Sequence, residues 1–543
     1  MIVTLAQLNY HIGHFEANLA KMIDAIAQAR REGSDLIVFG ELATCGYPPR
    51  DFLEFDEFIR RSENAIEELC KHSQGIGIVL GAPERNRDPR GKNLFNAVYL
   101  LSEGKVQFVQ HKTLLPDYDI FDEYRYFEPA KNWGVAEFRG KKLALTVCED
   151  IWDTGMKDPL YTVNPLDEMM QFRPELIINV SASPFHASQV RKRRSVVLEN
   201  VTRYKLPMVY VNHCGAQTDL IFDGGSLVVN SKGTVVAELP YFEEGIVTFD
   251  MGAAEESPGI AERPLGKTET IYKALVLGIK DYFDKLGLKK AVLGLSGGID
   301  SAVTAVLAVD ALGAQNVTGL LMPSQHSSRH SVDDALQLAN NLGMPHHVLG
   351  ISAAYDTLVG QLQGVFAGLA ADVTEENIQA RIRGIYNMAF ANKFGATLLN
   401  TTNKSEMAVG YGTLYGDLCG GLCVLADVYK TEVYELAEWI NTNGERIPQN
   451  SILKAPSAEL RPDQKDTDSL PPYDVLDKLL YGYIEDRMGE NRLIEAGFDG
   501  ELVRYVLKLV NRNEFKRYQT APVLRVSSKA FGLGRRMPIV AKY

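Results

Sequence analysis

"VLGLSGGIDSAV", residues 292–303, decides how the chain folds. An apolar strand runs into Ser296, Gly297 and Gly298, and a helix begins directly after Asp300 and Ser301. Strand, glycine turn and helix N-terminus in succession make a cradle for phosphate, because backbone N–H groups and the helix dipole both face an anion. No Gly-Lys-Ser/Thr follows, so this is not a Walker A loop. Downstream, "VTGLLM", "HHVLGI" and "ATLLNTT" read as strands separated by amphipathic helices. Such βα alternation predicts a parallel sheet with helices on both faces and ligands beyond the strand C-termini.

Upstream the pattern differs. "MIVTLAQLN", "DLIVFGE", "GIVLGAP", "NAVYLL", "KVQFVQHK", "KLALTVCED", "ELIINVSAS", "MVYVNHCG", "GGSLVVN" and "TVVAEL" read as strands, with few helices among them. So many strands predict stacked sheets covered by helices. The stretch 251–269, rich in Gly, Pro, Ala and Glu and without periodicity, is the seam between domains expected at 1–255 and 256–543. Segment 454–472 is polar and Pro-rich, and reads as a cover loop over a site.

At 543 residues the chain exceeds one ordinary core. Its net charge of -12 excludes a general nucleic-acid binder, since no basic surplus is available to release phosphate counterions. The local tract "RKRR" at 191–194 reads as a solvated helix face. No run approaches the ~18 apolar residues of a membrane span. The N-terminus lacks the pattern of a signal peptide, and its Phe15, Leu19, Met22, Ile23 and Ile26 fit one helix face. Six sparse cysteines without a C-x-x-C motif argue against structural zinc and fit reduced thiols, so a cytoplasmic location is expected.

Three residues of the first half stand where packing gives no reason for them. Glu41 ends the apolar strand "DLIVFGE", Lys112 directly follows another strand, and Cys148 ends "KKLALTV" ahead of Glu149 and Asp150. In this order, and in the contexts "GELATCGYPPRD", "HKTLLP" and "VCEDIW", they resemble the nitrilase superfamily of carbon–nitrogen hydrolases over roughly the whole first half. The resemblance implies a nitrilase-like αββα sandwich with Cys148 as nucleophile, Glu41 as general base and Lys112 stabilising the oxyanion and favouring the thiolate. It further implies that Tyr118 and Ser183 bind L-glutamine. The family often has a basic residue six positions after that serine; here the position is Gln189, with Arg191, Lys192 and Arg193 close by.

"LSGGIDS" resembles the pyrophosphate loop of ATP pyrophosphatases, which form adenylates. That leaves the substrate open among several syntheses. "ENIQARIRGIYNMAFANKF" (376–394), a helix with Ile378, Ile382, Ile385 and Ala389 on its apolar face, "LLNTTNKSEMAVGYGTLYGD" and "LADVYKTEVYELA" resemble the NAD synthetase family among these enzymes. The resemblance implies a Rossmann-like parallel-sheet ATP-pyrophosphatase domain. In it Gly294, Leu295, Ser296, Gly297, Gly298, Ile299, Asp300, Ser301, Thr401 and Lys430 bind ATP. Asp300 and Glu406 hold Mg²⁺, and Asn377, Glu406 and Lys516 contact deamido-NAD. Ser457 would close over the phosphates from the cover loop.

The two halves suit one another chemically. An acyl adenylate needs ammonia, which in bulk water is mostly ammonium, and an amidase in the same chain supplies it along an expected protein-lined path. A homo-oligomer is also expected from the resemblance. The alternatives are another carboxylate acceptor, a catalytically silent nucleotide sensor, and a synthetase fed by free ammonia behind an inactive amidase.

Overall fold

The computed structural model describes residues 1–154, 160–261, 265–462 and 464–542; parts of the predicted seam (262–264) and cover loop (463) lie outside these. The chain forms two compact units, Met1–Pro264 and Leu265–Tyr543.

The first unit holds two six-stranded sheets. One contains β1 (Ile2–Gln7), β2 (Leu36–Val38), β3 (Gly77–Arg85), β4 (Leu94–Ser102), β5 (Lys105–His111) and β14 (Gly245–Asp250) in the order β14-β1-β2-β3-β4-β5. The other contains β6 (Ala136–Phe138), β7 (Lys141–Val147), β8 (Leu176–Val180), β9 (Met208–Val211), β12 (Leu227–Val229) and β13 (Val235–Glu238) in the order β13-β12-β9-β8-β7-β6. A ribbon of β10 (Cys214–Gln217) and β11 (Leu220–Asp223) stands apart. In each sheet the central strands β1-β2-β3 or β7-β8-β9 are parallel, and antiparallel strands flank them.

Side-chain period two separates the layers. Val3, Leu5, Leu36 and Val38 meet Leu143, Leu145, Ile178 and Val180 in a core between the sheets. The alternate residues Ala6, Ile37, Ile78 and Leu80 face outward and are covered by Met22 and Ile26 of helix Phe15–Arg31 and by Ile66 and Leu69 of helix Asp56–Lys71. On the other side Ala144, Ile177 and Tyr210 pack under Val196, Val197 and Val201 of helix Gln189–Tyr204. This is the expected αββα sandwich. The parallel centre follows from the intervening helices, because a parallel neighbour needs a long crossover.

The second unit is built on β15 (Lys290–Gly294), β16 (Val317–Leu321), β17 (His346–Val348), β18 (Ala396–Asn400) and β19 (Leu422–Cys423), in the order β17-β16-β15-β18-β19 and parallel throughout. β15 is central, and the strand order reverses on either side of it, so its C-terminal end opens a crevice. Helix Val373–Phe394 crosses from β17 to β18.

Two details of the sequence reading are corrected. On helix Val373–Phe394, Ile378 and Ile382 are buried but Ile385 is 63% exposed and Ala389 is exposed too, so the apolar stripe divides between the core and the surface. The "RKRR" tract is not a uniformly solvated face. Arg193 is fully buried and grips Asp223 through both guanidinium nitrogens at 2.9 and 2.6 Å, while Arg194 reaches Glu238 at 2.8 Å. A charge run carries no mark of which member turns inward; an acid placed 30 residues later on β11 decides it.

Candidate active site

In the first unit the ends of several strands converge. Glu41 follows β2, Lys112 follows β5, Cys148 follows β7 and Ser181–Ser183 follow β8. Glu41, Lys112, Cys148 and Ser183 are all buried. Cys148 has a φ of 39°, in the left-handed region, at the sharp exit from β7 into a short 3₁₀ turn. A non-glycine residue held there is strained, and such strain accompanies functional turns.

The Lys112 ammonium is enclosed by carboxylates. Its Nζ donates to Glu41 Oε1 at 2.8 Å and to both oxygens of Glu123, each at 2.8 Å. Glu41 also accepts from Asn96 Nδ2 at 2.7 Å and from the Ala182 N–H at 3.0 Å, so both its oxygens are fixed. Burial opposes the charge on Lys112, but Glu123 and Glu41 overcome it and hold the pKa well above the usual lysine value. Burial raises the Glu123 carboxyl despite Lys112 beside it. The Cys148 thiol is pushed well above its ordinary value by burial and then by Glu41, with Lys112 opposing them. At rest it is therefore a neutral thiol. Lys112 does favour the thiolate, as expected of it, but desolvation and three neighbouring carboxylates outweigh one ammonium.

Asp150 ties the parts together. Its Oδ1 accepts from the Thr113 and Leu114 N–H groups and its Oδ2 from that of Val147, joining the lysine loop to the cysteine turn. Glu149, buried beside Cys148, accepts from the Tyr118 and Tyr161 hydroxyls at 2.8 and 3.0 Å. Ser183 is fixed through its N–H to Asn212. Gln189 opens helix Gln189–Tyr204, with its N–H on the His186 carbonyl.

Glu123 and Asn96 were missed from the sequence. Glu123 lies within "PDYDIFDEYRYF", where acids are too frequent for one to stand out, and no strand gives it a direction. Asn96 offered a signal, since an amide inside the apolar strand "LFNAVYLL" has no packing use.

In the second unit a cavity of about 300 Å³ opens at the strand ends and is lined by Gly294, Leu295, Ser296, Gly298, Ile299, Asp300, Ser301, Thr401, Glu406 and Lys430. Gly297 turns away from it. Its φ is 76°, and a Cβ there would lie 2.1 Å from the Ser331 carbonyl oxygen. The turn is braced by Ser301 Oγ donating to the Gly298 carbonyl at 3.0 Å. The cover segment contributes Lys454, Ser457, Glu459 and Asp466 to the wall.

Asp300, Glu406 and Lys430 form one cluster. Lys430 Nζ stands 2.5 Å from Asp300 Oδ2 and 3.7 Å from Glu406 Oε1, and Asn403 Nδ2 donates to Asp300 Oδ1 at 2.9 Å. Burial and then Asp300 push the Glu406 carboxyl up, with Lys430 opposing. Two acids crowded around one ammonium call for further positive charge. Asn377 and Lys516 are not in the cavity wall. Asn377 Oδ1 accepts from Thr413, and Lys516 donates to the Gly410 and Gly412 carbonyls, so both gather on the 410–413 turn whose Tyr411 does line the cavity.

Fold and sites together define a cysteine amide hydrolase of the nitrilase type joined to a parallel-sheet unit with a phosphate-binding loop. The carbon-nitrogen hydrolase family model matches residues 2–256, and the NAD synthase model matches residues 271–520. A glutamine-dependent NAD(+) synthetase of Synechocystis sp. is 44% identical over 100% of this chain and 99% of its own. That of Thermotoga maritima is 40% identical over 100% and 98%. The solved structure of the enzyme from Acinetobacter baumannii, in complex with ADP, is 38% identical with a TM-score of 0.79, covering 99% of this chain and 98% of that one. The chain belongs to the glutamine-dependent NAD(+) synthetase family.

Proposed function

We propose that the chain amidates deamido-NAD to NAD⁺ at the expense of ATP, taking nitrogen from L-glutamine and releasing AMP, diphosphate and glutamate. The observation that carries this reading is the pairing, in one chain, of a strained buried Cys148 beside the Glu41–Lys112–Glu123 cluster with a Ser296–Ser301 phosphate cradle. Glu41 takes the thiol proton as Cys148 attacks the side-chain amide carbon, and the resulting oxyanion is held by Lys112. Glu41 returns that proton to the amide nitrogen as the intermediate collapses, so ammonia leaves and a glutamyl thioester remains, which water activated by the now deprotonated Glu41 hydrolyses. All three Lys112 protons are directed to carboxylates, so an oxyanion must take one from Glu41 or Glu123. Glu123, raised by burial, gives up its share most cheaply by accepting a proton.

Tyr118, Ser183 and Gln189 would hold the backbone groups of glutamine. Support for Tyr118 lies in its bond to Glu149, which together with it faces an α-ammonium with negative charge and a hydroxyl. Arg193 is committed to Asp223, which leaves Gln189 without a basic substitute from that residue.

In the second unit the loop amides and Ser296 and Ser301 would bind the triphosphate, Thr401 and Lys430 its neighbouring groups, and Asn377, Glu406 and Lys516 the deamido-NAD. Asp300 and Glu406 fit Mg²⁺, which is commonly held by one or two carboxylates with substrate phosphates completing the shell. When bound it would neutralise charge on the phosphates. Lys430, between the same acids, supplies positive charge from the protein side. AMP transfer to the nicotinate carboxylate then gives a leaving group that ammonia displaces. The exposed apolar Ile385, Met388 and Phe394 on one helix support a homo-oligomer. No helix among the described residues is long and apolar enough to cross a membrane, which fits a cytoplasmic location.

NAD formation from deamido-NAD, ATP and Mg²⁺, with glutamine or ammonium, tests the reading in wild type and Cys148→Ala. Ammonium is expected to serve both proteins and glutamine only the wild type. Absence of NAD from both nitrogen sources would refute it.

A further inference from the structure

Asp300 and Glu406 are both held by one turn of chain. Helix Lys404–Val409 has six residues, too few to keep its shape alone. Its N-cap, Asn403, accepts from the Glu406 N–H at 3.0 Å and donates from Nδ2 to Asp300 Oδ1 at 2.9 Å. Lys404 lies between these residues in sequence, yet it does not line the cavity and its side chain is fully buried. Its Nζ meets Asp427 at 2.9 Å and the Glu485 carboxylate, and donates to Ser527 Oγ at 2.7 Å and to the Lys529 carbonyl at 2.9 Å. Asp427, equally buried, accepts from the Val526 and Ser527 N–H groups and from Ser527 Oγ, each at 2.7 Å. The other end of the helix is fastened to the same stretch of chain. Arg517 donates to the Met407 and Ala408 carbonyls at 3.1 and 2.6 Å, and it shares Glu514 with Arg535, each at 2.7 Å. Beyond helix Glu514–Arg517 the described residues form no further helix or strand, and Val523 joins the sheet through a bridge to Cys423.

We propose that Lys404 is a positioning residue of the synthetase site: it ties the C-terminal segment 523–535 to the turn that aims Asp300 and Glu406, so that this segment sets the spacing of the two acids. The proposal rests on the ATP-dependent reading above. A buried ammonium among carboxylates adds little net stability, because desolvation offsets the attraction, but its bonds fix direction. Lys404 acts through its chain neighbours Asn403 and Glu406. Ser527 is the joint, since its Oγ accepts from Lys404 and donates to Asp427. Removing that hydroxyl leaves the Lys404, Asp427 and Glu485 charges paired and loosens the segment from them. Two like charges around Lys430 part when the turn that carries one of them is released, and a cation that needs both then binds less well.

The test uses Ser527→Ala and Lys404→Met in the full chain. Equilibrium Mn²⁺ binding is measured with ATP and without deamido-NAD, beside the Mg²⁺ concentration that half-saturates ammonium-driven NAD formation. Glutamine hydrolysis without ATP reports on the first unit. Ser527→Ala is expected to weaken Mn²⁺ binding and raise the Mg²⁺ requirement by about 3- to 10-fold, the worth of one hydrogen bond, with little change in kcat at saturating Mg²⁺. Lys404→Met, which removes the ammonium, should do so by more than about 10-fold. Glutamine hydrolysis should be unchanged in both. A lower melting temperature with Mn²⁺ affinity and Mg²⁺ requirement unchanged in Ser527→Ala would show a merely structural role and overturn the proposal. Loss of glutamine hydrolysis in that variant would overturn it as well. Should Lys404→Met not fold, Ser527→Ala decides alone. A wild type that makes no NAD, with Mn²⁺ binding weakened in Ser527→Ala, would refute the synthetase reading and leave the positioning role standing.

Discussion

Cys148 begins its reaction protonated, so the nearby acids decide the rate of the first half-reaction. Glu123 is the informative one, because it holds two of the three bonds to Lys112 without following a strand as Glu41 does. Glu123→Gln is expected to lower glutamine-driven NAD formation by ~100-fold, the usual worth of a positioned proton-transfer group, and to spare ammonium-driven formation. An equal loss with both nitrogen sources would show a structural role instead. Asp150 yields a pH prediction. Burial raises its pKa from the ordinary aspartate value of about 3.9 to about 6, against three backbone N–H bonds that lower it. The folded chain thus keeps a proton that the unfolded chain has released. The stability this contributes is complete below about pH 4 and is lost as pH rises through about 6. That difference corresponds to roughly 3 kcal/mol at most. Urea unfolding of wild type and Asp150→Asn from pH 4 to 7 checks it: the wild-type advantage over the variant should shrink by that order as pH rises. A constant difference would mean the carboxyl does not titrate in this range. The triad residues were legible because a charged or reactive side chain ending an apolar strand has no packing role. Glu123 was not, since its meaning lies in which neighbours the fold supplies.

At the scale of elements, the phosphate loop depends on one close approach. Gly297 combines a left-handed φ with a backbone contact against Ser331, at the first turn of helix Arg329–Leu342. Gly297→Ala therefore has to displace the loop or that helix, and ammonium-driven NAD formation is expected to fall by more than ~100-fold, as misplacing reacting groups by about 1 Å commonly does. Activity within tenfold of wild type would show that the loop tolerates the shift. The strand pattern carried most of the architecture, because burial on one face or both imposes period two or continuous apolar runs that are visible in any sequence. Helix Val373–Phe394 resisted the same reading. Its residues answer to a core, a cavity and an exposed face at once, so Ile378, Asn387 and Ile385 obey different environments on one cylinder. The Arg193–Asp223 pair was equally hidden, as its two members lie on elements whose meeting only the tertiary fold defines.

Across the whole molecule, the exposed Ile385 and its apolar neighbours bear on assembly. Ile385→Glu is expected to shift the protein towards a smaller species in sedimentation, while wild type remains oligomeric. A wild-type monomer would remove the reason for the exposed row. The edge of the first sheet carries a different consequence. β14 closes against β1, with Thr4 and Thr248 in contact although 244 residues separate them. At ~5–20 residues per second, a ribosome needs about 12–50 s to deliver the second after the first. Throughout that interval β1 has emerged with one hydrogen-bonding edge unsatisfied, and an open strand edge recruits any extended chain nearby. A chain truncated before residue 245 lacks the strand that closes this edge and is therefore expected to aggregate where the full chain does not.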